Sequence, residues 1–105
     1  MQNVRIGDRV VGKNAPIFIV ADVGANHDGD LERAKELIDI ASRAKVYAVK
    51  FQSFTAENLT MPMRGKKIKD EKRKKACNDK WFKILKDLEL PREWHKELQD
   101  YSNKQ

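Results

Sequence analysis

Two short stretches at a fixed separation constrain this chain more than anything else in it. Phe18-Ile19-Val20-Ala21-Asp22-Val23-Gly24-Ala25-Asn26-His27-Asp28-Gly29-Asp30 passes from apolar to polar, and Ala48-Val49-Lys50-Phe51-Gln52 follows one helix later. Ile17 to Asp22 is a near-continuous apolar run rich in β-branched residues, the pattern of a parallel strand covered on both faces. Leu31, Ala34, Leu37, Ile38 and Ala41 then recur at helical spacing, with Asp30 placed to cap the helix they define. Tyr47 to Phe51 reads as a second strand. Strand, helix and strand in this order predict an α/β architecture built on a βαβ unit, with ligands bound at the carboxyl ends of the strands.

Alternation along a strand decides which side chains share a face. Phe18, Val20 and Asp22 share one face of the first strand; Ile17, Ile19 and Ala21 share the other. In the second strand Ala48, Lys50 and Gln52 point one way, and Val49 and Phe51 the other. The apolar set Ile19, Ala21, Val49 and Phe51 suits the helix-covered side. Asp22, Lys50 and Gln52 are thereby predicted to converge on the opposite side. A lysine in a strand that reads as buried needs a counter-charge. Asp22 or an anionic substrate would supply one, so a structural pair and a functional one both stand open. Asn26 and His27 occupy the loop after the first strand. A histidine there reads as a surface residue or, by its place at the active end of the strand, as a substrate contact. His95, between Trp94 and Lys96, reads as structural or exposed.

Around this unit the organisation is coarse. Val4 and Ile6, Gly7-Asp8, then Val10-Val11 predict a short hairpin. The expected divisions are a hairpin over 1–13, a first strand–helix unit over 16–45 and a second over 46–105. Thr55 to Asn78 reads as a long polar loop, with or without a short basic helix. Asn78 is placed to cap a helix whose face carries Trp81, Ile84, Leu85 and Leu88. Pro91 suits the first position of a last helix striped by Trp94, Leu98 and Tyr101. Trp81, Phe82, Trp94 and Tyr101 read as core.

The net charge of +6 sits in one place: Arg64 to Lys75 carries eight basic and two acidic residues, the whole excess. The segment reads as a solvated loop or as a contact for a polyanion, and its lack of interleaved aromatics argues against single-stranded nucleic acid as a partner. Cys77 is the single cysteine, which fits a reducing compartment. With neither a secretory signal nor an apolar run long enough to span a bilayer, the expectation is a cytoplasmic protein without membrane contact.

The motifs Ala21-Asp22-Val23-Gly24, Asn26-His27-Asp28-Gly29 and Ala48-Val49-Lys50-Phe51-Gln52 resemble the opening of the sialic acid synthase family, and Leu85 to Leu90 and His95-Lys96-Glu97-Leu98 fit it too. The resemblance implies the N-terminal part of a TIM-type (β/α)8 barrel preceded by the hairpin. It implies condensation of phosphoenolpyruvate with an N-acetylmannosamine-like sugar to a sialic acid and phosphate, by a homodimeric enzyme. It also implies a divalent metal, manganese or magnesium, whose ligands lie outside this chain. Lys50 corresponds to the family lysine that meets phosphoenolpyruvate, and Gln52 to a sugar contact. Asp22 stands where the family has a catalytic-site glutamate, with Asn26 and His27 as further substrate-binding candidates. Two departures stand out. Asp22 is one methylene shorter than glutamate, and Ala44-Lys45-Val46-Tyr47 replaces the usual Ala-Gly-Ala-Asp, removing an easy left-handed helix cap. A full barrel needs roughly 250 residues, so the chain alone is expected to lack synthase activity. A non-catalytic binding or assembly module with a polyanion-contacting loop is the competing reading.

Overall fold

The computed structural model describes residues 2–59 and 81–105. The basic run Arg64 to Lys75, Cys77 and the Asn78 cap lie outside the described residues.

The chain opens with a two-stranded antiparallel hairpin, β1 (Val4–Ile6) and β2 (Arg9–Val11), with Ile6 opposite Arg9. Gly7 takes a φ of +60° at the first of the two turn residues, a conformation that glycine enters without steric cost. The hairpin is pinned through Arg9, whose guanidinium lies 4.3 Å from the centre of the Tyr47 ring, and Tyr47 in turn contacts Phe18.

The βαβ unit is β3 (Val20–Gly24), α1 (Leu31–Arg43) and β4 (Ala48–Phe51), with β3 and β4 parallel. Asp30 caps α1 as its sequence predicts. Its carboxylate accepts the backbone N–H groups of Glu32 and Arg33, two of the donors a helix start leaves unpaired. Ala34, Ile38 and Ala41 of α1 are buried. The other end closes on Lys45, at φ +60°. The Lys45 N–H donates to Ser42 O and the Val46 N–H to Ala41 O, the paired bonds of a Schellman ending. The left-handed cap thus survives without its glycine.

This ending corrects the expected first strand. Ile17 to Ile19 lie outside β3, and Ile17 is 81% exposed. The ladder begins at Val20 opposite Ala48, because Val46, which would extend it, is turned back onto α1. One further bond, Tyr47 N–H to Ile19 O, is all that continues it. Nor is β3 covered on both faces, since Val20 is about half exposed.

After β4 come α2 (Ala56–Leu59), α3 (Phe82–Asp87) and α4 (Trp94–Lys104). The core joins α1 to α4: Ala34, Ile38, Leu90 and Leu98 are buried together, with Leu31, Val49, Phe51, Trp94 and Tyr101 packed against them. Burying a leucine or isoleucine in this way stabilises by about 1.5–3 kcal/mol. At the rim Tyr101 donates to Asp39 and Lys35 pairs with Glu97 at 2.8 Å. Two expectations fail here. Trp81 is 52% exposed and Ile84 is also exposed, so Leu85 alone carries the buried face of α3. And α4 starts at Trp94, because Pro91 opens a tight turn instead, closed by Trp94 N–H to Pro91 O and His95 N–H to Arg92 O.

Candidate functional site

Lys50 and Asp22 are direct partners in the β3–β4 register, and Lys50 Nζ lies 3.3 Å from Asp22 Oδ2. The next pairing skips a residue, Gly24 standing opposite Phe51, so that Val23 forms a bulge. Bulges of this kind re-aim side chains and are frequent beside active sites. Here Val23 is buried while Asp22 remains on the face of Lys50. Gln52 continues from β4, its N–H donating to Gly24 O. Val49 and Phe51 face the helices, as alternation requires. The polar set therefore lies on the face away from the helical core.

That face is open. The side chains of Lys50 and Asp22 are 56% and 61% exposed, not buried as the apolar strand context predicted. An exposed ion pair contributes only about 0–1 kcal/mol. Its significance is that it places an ammonium group at a strand end where an anion can reach it. A cavity of about 900 Å3 lies elsewhere, bounded by the hairpin, Tyr47, Val49 and Leu98, and neither Asp22 nor Lys50 lines it. The polar strand ends offer the more specific chemistry.

The loop after β3 behaves differently at its two candidates. Asn26 is exposed, with its N–H bonded to Val23 O. His27 is fully buried, which corrects the surface reading. Its ring stands 6.2 Å from Trp94, edge to face, and 6.4 Å from Phe51, on the helical side of the sheet. The Gly29 N–H donates to His27 Nδ1 at 2.9 Å, so the neutral ring carries its proton on Nε2. Nε2 has no hydrogen-bond partner among the described residues. Burial pushes the imidazole below its ordinary value of 6.5, partly offset by the nearby Asp28 carboxylate. Gly29 itself is required. It sits at φ +72°, and a Cβ there would meet Asp87 O at 2.8 Å. His27 thus supports the loop from beneath while Asn26 faces solvent.

Sequence reasoning passed over one contact. Ser53 Oγ lies 2.7 Å from Nε2 of His95, which joins the chain just after Gln52 to the start of α4. No short-range pattern signals a contact between residues so far apart.

A parallel βαβ unit with an ion pair at its strand ends defines an α/β protein, with Asp22 and Lys50 as its candidate site. Comparison with known proteins makes this specific: the NeuB family profile matches residues 37–105, and the chain belongs to the NeuB family. It is 39% identical over 104 residues to the spore coat polysaccharide biosynthesis protein SpsE of Bacillus subtilis, covering 96% of this chain and 26% of that protein. It is 37% identical over 92 residues to the N,N'-diacetyllegionaminic acid synthase of Legionella pneumophila, covering 88% of this chain and 26% of that protein. The structure is similar to that of N-acetylneuraminic acid synthetase from Leptospira borgpetersenii, solved in complex with citrate. The TM-score is 0.73 at 31% identity, over 98% of this chain and 31% of that one. The chain spans about a quarter of the length of the curated relatives it matches.

Proposed function

We propose that this chain forms part of a sialic acid synthase-type enzyme that condenses phosphoenolpyruvate with an N-acetylmannosamine-like sugar, releasing phosphate. In this reading β3, α1 and β4 supply two strands and a helix of a TIM-type barrel, which needs roughly 250 residues in all. The observation that carries the reading is the Lys50–Asp22 pair, 3.3 Å apart on adjacent parallel strands.

Lys50 presents a compact ammonium that meets a carboxylate or phosphate as a point charge. Its weak, exposed pairing with Asp22 holds the amine in place yet yields to a ligand carrying both a phosphate and a carboxylate. Asp22 then remains beside the bound anion, where the family glutamate stands near the reacting centre. Gln52 extends from the same strand toward the sugar, and exposed Asn26 borders the site. Enclosed as it is, His27 acts through the loop rather than by touching substrate.

A divalent metal, manganese or magnesium, would polarise the sugar aldehyde in the intact enzyme. The described residues do not fit one: no three His, Cys, Asp or Glu side chains converge, and His27 Nδ1 already accepts from Gly29. The roles given to Lys50, Asp22 and Gln52 do not pass through a metal. The reading further takes the intact enzyme as a cytoplasmic homodimer. Among the described residues no helix is long and apolar enough to cross a membrane.

Isothermal titration of phosphoenolpyruvate into the chain, its fold checked by circular dichroism, tests the reading. Binding that is lost in Lys50→Gln is the expected result. A folded chain that binds equally well with and without the lysine contradicts it.

A further inference from the structure

The segment that follows Gln52 is fixed to α4 through a single histidine. Ser53 Oγ lies 2.7 Å from His95 Nε2. His95 Nδ1 lies 3.2 Å from Pro91 O and 3.1 Å from Arg92 O. Carbonyl oxygens only accept, so Nδ1 must carry the proton, and Nε2 of the neutral ring accepts from the Ser53 hydroxyl. Both carbonyls are held in turn, accepting the N–H groups of Trp94 and His95 in the turn before α4. The imidazole is therefore mounted on a fixed base and has one lone pair to offer, which Ser53 takes.

The consequence falls on the site. Ser53 directly follows Gln52, whose N–H reaches back to Gly24 O at the end of β3. A second tether lies three residues further on, where the Ala56 N–H donates to Glu89 Oε1 at 2.7 Å. We infer that His95 is a positioning residue for the Lys50–Gln52 end of β4, acting through the Ser53 hydroxyl. The inference rests on the synthase reading for its meaning, since it makes the substrate-facing end of β4 depend on a side chain from α4.

Three measurements on the 105-residue chain test it. Long-range 15N NMR of His95 should show a protonated Nδ1 and an accepting Nε2. Amide deuterium exchange should show the Gln52 N–H exchanging about 5-fold or more faster in His95→Ala and in Ser53→Ala, the scale of one lost hydrogen bond. Ser53→Thr, which keeps the hydroxyl, should restore it, and the Ile38 amide inside α1 should be unaffected throughout. Phosphoenolpyruvate affinity should fall in the same two variants and not in Ser53→Thr.

Unchanged Gln52 exchange overturns the inference, as does an equal acceleration at Ile38, which would mark plain loss of stability. Should both alanine variants fail to fold, the wild-type tautomer decides, and a proton on Nε2 overturns it. If wild-type chain binds no phosphoenolpyruvate, the assignment of the anion site to the β3–β4 strand ends fails, while Gln52 exchange still decides whether His95 positions the strand end.

Discussion

Lys45 and His27 show how much single residues are asked to bear in this chain. Lys45 holds φ +60° at the end of α1, where a side chain costs roughly 1–2 kcal/mol and glycine costs little. Lys45→Gly should therefore stabilise the chain, by about 1 kcal/mol once the greater freedom of glycine in the unfolded state is counted. A higher urea midpoint would show it. His27 carries a pH dependence. Its folded pKa lies below the ordinary 6.5 because burial penalises the charged ring. The unfolded chain then binds more protons as pH falls through 6.5, so stability present above that value is lost toward the lowered folded pKa. His27→Gln should flatten this part of the profile. Urea midpoints at about pH 7.5 and about pH 5.5 should converge in the variant and separate in the wild type.

The elements were legible in proportion to how local their causes are. Asp30 and the stripe Ala34, Ile38, Ala41 were readable because a cap and a helical face are written within a few residues. Removing the cap with Asp30→Ala should cost about 1 kcal/mol, visible as a lower thermal midpoint. The pairing of Asp22 with Lys50 was readable from strand alternation. Less legible were features set by a neighbour. The true start of β3 depends on Val46 turning back onto α1, and the burial of His27 depends on Trp94 arriving from a later helix. Apolar runs overstate coverage for the same reason: Ile17 and Trp81 are able to be buried, but they stand 81% and 52% exposed. The resemblance to a synthase family was carried by motifs that lie at the strand ends, so the family was legible even where burial was not.

At the scale of the molecule, the described chain is a helical core on one side of a two-stranded parallel sheet and a polar, open face on the other. Two strands make a small sheet, and its stability comes from α1 and α4 rather than from the strands themselves. The candidate face with Lys50 and Asp22 is thus backed by the helical core and left accessible. The synthase reading places the rest of a barrel around that face, and with it most of the catalytic apparatus. Anion recognition by Lys50 is the part this chain should retain. The most direct measurement is a phosphoenolpyruvate titration followed by backbone amide chemical shifts across the 15N-labelled chain. Shifts confined to Asp22, Asn26, Lys50 and Gln52, with the β1–β2 hairpin and α4 beyond its first turn unchanged, are the predicted result. Shifts centred on the hairpin, or none at saturating ligand in a folded chain, would contradict the assignment of the site to the β3–β4 strand ends.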